Sequence, residues 1–182
     1  MKKISCSIVI ALTLIVSSCS STQTLQEYYV DNSENPNFIS LDLPASLLNL
    51  EKADLTAEQK TAYESLKKLN VLAFQKTMDN AAAFTAEKSN LKAILKNGKY
   101  QELMKINTSY GKGTLRYLGD DDAIDEVIVY GDSDDKGFIV VRVLGDNMNP
   151  AYLMKLIQAM EKSDFNGDQL KGLGDLLKGM NK

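Results

Sequence analysis

The sequence predicts an α+β fold, an antiparallel sheet of five or six strands with helices packed mainly on one face. Short runs rich in Val, Ile, Tyr and Phe recur through the second half of the chain, separated by acidic turns of a length that suits hairpins. Segments with apolar residues at three- and four-residue spacing flank them. The chain has 182 residues and is 44% hydrophobic, enough for one core-forming domain and against disorder.

Read in order, the chain starts with Lys2 and Lys3, followed by an apolar run from Ile4 to Val16 broken only by Ser5, Cys6, Ser7 and Thr13. That is the order of a secretory signal peptide, and the run is short of the roughly 20 residues that a permanent membrane span needs. It ends in Val16-Ser17-Ser18-Cys19, which resembles the lipobox of bacterial lipoproteins. The resemblance implies cleavage after residue 18 and acylation of Cys19. One acyl chain holds a protein only marginally on a bilayer, at about 0.8 kcal/mol per buried methylene, whereas two or three hold it stably. Residues 1–18 are thus read as signal peptide and 19–37 as a polar tether, with the domain at 38–163 and a weakly structured tail at 164–182.

Within the tether, Leu25, Tyr28 and Tyr29 could form a short docked helix, while Asp31 to Pro36 is a strong loop signal. From Phe38 the alternation of Ile39, Leu41 and Leu43 with Ser40 and Asp42 predicts a strand, stopped by Pro44. Ala45 to Leu50 reads as a helical turn. Thr56 and Gln59 fit a capping box opening a helix to about Lys68, and Leu69 to Phe74 is a buried strand. A longer helix is expected from about Asp79 to Asn97, its apolar stripe including Phe84, Leu91, Ile94 and Leu95, with Gly98 at the C-terminal cap. Tyr100 to Asn107 is strand or a ragged helix end; Thr114 to Leu118, Ile124 to Tyr130 and Phe138 to Leu144 are strands. Asn149-Pro150 opens a last helix whose stripe is Leu153, Leu156, Ile157 and Met160. Gly167, Gly172, Gly174 and Gly179 interrupt the leucines of the tail.

The segments Lys68 to Leu72, Tyr100 to Asn107, Glu126 to Tyr130 and Gly137 to Asp146 together resemble a family of uncharacterised bacterial envelope lipoproteins, domain of unknown function 4252. The resemblance covers about Phe38 to Met160. Its segments are structural strands, so it implies a fold and an address and supplies no catalytic residues.

Composition removes several chemistries. Cys6 leaves with the signal peptide and Cys19 is committed to lipid, so neither a disulfide framework nor a cysteine metal site is expected. The chain has no His and no Trp. That excludes Ser-His-Asp and Cys-His catalysis and His-ligated zinc. Without Lys2 and Lys3, 19 basic residues face 24 acidic ones, a mature net charge of −5 that makes nucleic acid a poor partner. Ser65-Leu66-Lys67-Lys68 has the spacing of a Ser-Lys dyad but lies at a helix end. The acidic clusters Asp120-Asp121-Asp122 with Asp125, and Asp132, Asp134, Asp135, invite calcium. Counting from Asp132, however, puts Lys136 and Val143 where an EF-hand needs ligands. Asp164, Asn166, Asp168 and Asp175 have suitable spacing but Gln169 in place of the glycine. Solvated Asp-Gly turns are the ordinary explanation. Met104, Met154 and Met160 read as core filler. Arg142, mid-strand beside Phe138, Val140 and Leu144, is expected to pair across the hairpin with Glu126.

No catalytic residue, metal site or cofactor is therefore expected. The functional expectation is a non-catalytic binding, scaffolding or signalling role toward another envelope protein. The membrane is engaged through lipid at Cys19, and the outer membrane facing the periplasm is the favoured address because Ser20 is not the Asp of enterobacterial inner-membrane retention. The rivals are a carrier of a small apolar ligand and a carboxylate-based enzyme.

Overall fold

Thr24 and Glu27 open the first helix among the described residues. The Thr24 hydroxyl accepts from the Glu27 N–H while the Glu27 carboxylate accepts from the Thr24 N–H, so two otherwise orphaned donors are satisfied. In the computed structural model, which describes residues 23–48, 50, 54–108, 111–120 and 123–162, helix α1 spans Leu25–Asn32. Strand β1 (Phe38–Pro44) leads through a 3-10 turn (Ala45–Leu48) to α2 (Ala57–Ser65), β2 (Leu66–Gln75) and α3 (Ala81–Leu95). Then come β3 (Gln101–Thr108), β4 (Gly111–Asp120), β5 (Ala123–Ser133), β6 (Gly137–Met148) and α4 (Pro150–Lys162).

The six strands form one antiparallel sheet in the order β1-β2-β6-β5-β4-β3. The α+β class and the strand count are as expected. The helices, however, divide between the two faces. Residues in register share a face, because side chains alternate along each strand. One row runs Asp42, Asn70, Arg142, Ile128, Arg116, Glu102, and its neighbour runs Leu41, Val71, Val141, Val129, Leu115, Met104. The first face buries Leu72, Phe74, Phe138, Val140, Ile128 and Tyr130 under α1 and α3. On the second, Leu115, Tyr117, Val127 and Met148 pack with Leu50, with Ala62 of α2 and with Leu153 and Leu156 of α4. Register shifts near Ile124 carry that residue to the second face. A sheet buried on both sides explains why the strand sequences read as near-continuous apolar runs, such as Phe138 to Val141.

Several expectations change. The segment read as tether enters the core: Leu25 and Tyr28 are fully buried and Tyr29 is nearly so. Tyr28 meets Phe38 edge-on, and Phe38 in turn packs on Phe74 and Phe138, so α1 belongs to the domain. The helix from Thr56 ends at Ser65 instead of Lys68, because Leu66 already begins β2. Gly98 does not cap α3; Lys96 ends it in an ordinary helical conformation, donating to Lys92 and Ile94 carbonyls. Of the segment Tyr100 to Asn107, Tyr100 lies in a bend and Gln101 onward is strand. At the start of α4 Tyr152 N–H donates to the Asn149 side chain at 3.1 Å, the expected cap. The 164–182 tail and the Met160 side chain lie outside the described residues.

Candidate functional site

Arg142 is the chemical centre of the first face. β6 places it mid-strand, opposite Ile128 and diagonal to Glu126, and both charged residues are buried. Its Nε donates to Glu126 Oε1 at 2.7 Å and its terminal nitrogen to Glu126 Oε2 at 3.0 Å, a two-pronged fork. The same nitrogen donates to Gln26 Oε1 at 3.0 Å, so α1 closes over the pair. The expected Arg142–Glu126 pairing is present, and Gln26 is an unexpected third member.

Beside it lies a second polar group. Tyr29 hydroxyl donates to Asp42 Oδ1 at 2.9 Å and itself accepts from Ser40, while Asn70 and Lys68 also donate to Asp42. Burial opposes ionisation of Asp42, but the hydrogen bonds from Lys68, Tyr29 and Asn70 outweigh it and hold the carboxyl below its usual range. Tyr100 hydroxyl accepts from the Leu25 N–H at 3.3 Å. Tyr28 hydroxyl donates to Glu87 at 2.9 Å, and burial first, then that carboxylate, pushes its ionisation far up.

At the far end of α3 the acidic hairpin is drawn into the fold. Asp132 is mostly buried and pairs with both Lys88 and Lys92, while Lys88 also reaches Asp134 at 2.7 Å. Lys76 and Lys88 lie over the Phe84 ring at 4.9 and 5.4 Å from its centroid. Asp132 is therefore no solvated turn residue, and its oxygens already have lysine partners. Desolvation disfavours charge on Lys88, yet Asp132 and Asp134 raise its pKa overall. Among the described residues no group of three or more His, Cys, Asp and Glu is placed to hold a metal ion.

The sequence motifs fall apart in space. Ser65 hydroxyl donates to the Ala62 carbonyl at 2.7 Å, while Lys68 pairs with Asp42, so the Ser-Lys spacing brings no dyad together. Met104 and Met154 pack against the second-face core. Cys19, Asp121, Asp122, Asp164, Asn166, Asp168 and Asp175 lie outside the described residues. Among those described, no helix is long and apolar enough to cross a membrane.

The second face adds a feature with no sequence motif. Along β6, Phe138, Val140 and Arg142 are buried, whereas Ile139, Val141 and Val143 on the opposite side are only half-buried. Ile39, Ala73 and Ile139 form one register row and Leu41, Val71 and Val141 the next. Of these, Ile39, Leu41, Ala73, Ile139 and Val141 are partly exposed and belong to neither core cluster, whereas Val71, between Leu41 and Val141, is fully buried.

The family model for a domain of unknown function, DUF4252, matches residues 28–156, most of the chain. The chain belongs to the DUF4252 family. The DUF4252 match runs from within α1 to within α4, so it takes in both faces of the sheet and the Arg142 fork. No curated protein and no solved structure matches the chain.

Proposed function

We propose that this DUF4252 chain is a lipid-anchored envelope protein, acylated at Cys19 and held on the periplasmic side of the outer membrane. Its role there is non-catalytic binding or scaffolding toward another envelope protein. The observation that carries the binding role is the partly exposed apolar side chains of Ile39, Leu41, Ala73, Ile139 and Val141, which the second-face core under α2 and α4 does not take in. Apolar side chains left partly exposed together on one sheet face are candidates for an interaction site. The partner of that chemistry is a protein presenting its own apolar side chains. The non-catalytic reading is supported by the acids near the core: Glu126 is locked by Arg142, Asp132 by two lysines and Glu102 by Arg116.

A photo-crosslinking residue placed at Ile139 in growing cells tests the reading. A discrete adduct with one other envelope protein, absent with the crosslinker at exposed Leu47, is expected. An adduct with a second copy, or a crosslink only to the chain's own residues 164–182, would assign the area to self-association or to the tail. Fatty-acid labelling that marks Cys19→Ser as strongly as the parent would remove the anchor.

A further inference from the structure

The turn that leads from the end of α3 at Leu95 to the start of β3 at Gln101 holds the dipeptide Asn97-Gly98, of which Asn97 is half-buried and Gly98 exposed. Both main-chain groups of Asn97 are fixed: its N–H donates to the Ile94 carbonyl and its carbonyl accepts from the Tyr100 N–H, each at 3.0 Å. The side-chain oxygen is held as well, accepting from the Lys99 N–H at 3.4 Å. An Asn oxygen bonded to the N–H two residues on folds its amide group back over the peptide in between. Here that peptide nitrogen belongs to Gly98.

The side-chain amide carbon of Asn is an electrophile, and the next main-chain nitrogen is a nucleophile once it loses its proton. The turn holds the two together, which supplies proximity. Among the described residues the Gly98 N–H makes no hydrogen bond, so solvent base reaches it. Nothing shields the nitrogen either, because Gly98 has no side chain and an added Cβ would meet nothing within 4 Å. The Lys99 N–H already donates to the oxygen on which negative charge develops as the amide carbon becomes tetrahedral, which is how an oxyanion is stabilised.

From this geometry we propose that Asn97-Gly98 is a self-modifying site whose co-reactant is water, and that its product loosens α1. The Gly98 nitrogen bonds to Asn97 Cγ and gives its proton to solvent; the Cγ–Nδ2 bond breaks, and Nδ2 takes up a proton and leaves as ammonia. Water opens the resulting cyclic imide at either carbonyl, giving aspartate or isoaspartate at position 97. No oxidant or reductant takes part. In the isoaspartate form the main chain runs through Cβ and Cγ, and the carbonyl that accepted from Tyr100 becomes part of a free carboxylate. Tyr100 fastens α1, since its hydroxyl accepts from the Leu25 N–H, and its own carbonyl accepts from Arg116. The inference is independent of the lipid anchor and of the partner-binding surface.

The chain from residue 19 onward, carrying Cys19→Ser, is incubated near neutral pH at growth temperature and sampled over weeks by mass spectrometry. Cleavage after glutamate frees residues 88–102 as one fragment, apart from the chain's other Asn-Gly pair at 166–167. That fragment should gain about one mass unit at Asn97 and not at Asn90, with isoaspartate resolved by its fragmentation. Gly98→Ala should melt as the parent does, because the added methyl group has open space, and should slow the gain at least about fivefold by crowding the nitrogen. The parent unfolded in urea should react no faster than the folded chain. Hydrogen exchange at the 25–32 amides should be faster in the modified form, separated by its added charge, than in the unmodified one. A faster gain in urea, or a Gly98→Ala chain that reacts as fast as the parent, overturns the site. Equal exchange in the two forms overturns the link to α1.

Discussion

Removing the Glu126 charge while keeping its shape, as Glu126→Gln, strands the Arg142 guanidinium where both side chains are less than a tenth exposed. Breaking one partner of a buried pair costs about 3–5 kcal/mol, because the remaining charge is neither solvated nor compensated. Gln26 still accepts one hydrogen bond at 3.0 Å and offsets only part of that cost. For a domain of this size the loss corresponds to a fall of roughly 6–20 °C in melting temperature. Arg142→Met alone should cost a similar amount by leaving the carboxylate unpaired. The pair Glu126→Leu with Arg142→Met should recover most of the loss, since apolar side chains of similar volume replace a buried ion pair at little net cost. Calorimetric melts of the Cys19→Ser chain complete the double-mutant cycle, and a coupling energy of at least about 2 kcal/mol is expected. A single-variant cost below about 1 kcal/mol, or additive costs in the pair, would refute the account of a desolvated fork.

Three further outcomes follow from the same structure. Leu25→Ala should cost about 2–5 kcal/mol in a urea melt, as the residue is fully buried, and a chain beginning at Asn37 should lose its cooperative transition. A cost near zero would return α1 to the status of tether. Leu156→Ala should destabilise within the same range, because Leu156 is almost fully buried in the second-face core; a cooperative melt unchanged in midpoint would make α4 peripheral. Asp42 has a folded pKa below its unfolded one, so its contribution is present above about pH 4 and disappears as pH falls through the folded value. Asp42→Asn should accordingly flatten the acid limb of the stability profile, and an unchanged limb would place the linkage elsewhere.

The strands were legible because their signals are local: β-branched and aromatic runs bounded by Asp-Gly turns, from Ile124 to Leu144 above all. The division into two faces was also written there, since Val140-Val141 and Val127-Ile128-Val129 alternate apolar with apolar, which a one-sided sheet would not need. α1 carried a capping box in Thr24 and Glu27 and apolar spacing in Leu25, Tyr28 and Tyr29. Its eight residues are too few for periodicity to outweigh the polar segment around them. The Arg142–Glu126 fork could be read from the hairpin, where both residues sit on one short stretch. Gln26 could not, nor could the pairing of Asp132 with Lys88 and Lys92, because only the folded chain brings these distant segments together.

The bond between Gln26 and Arg142 joins residues 116 positions apart, and this sets a clock on biogenesis. At roughly 5–20 residues per second, a ribosome that has made Gln26 needs on the order of 6–20 s to make Arg142. Through that interval an eight-residue α1 cannot hold its helix unaided, and Leu25, Tyr28 and Tyr29 have no sheet to cover them. A chaperone that shields short aromatic segments would find its substrate here, at the leading end of the chain. A product truncated before β6 would carry this segment permanently bare, and so would be marked for proteolysis by the residues that seal the finished domain.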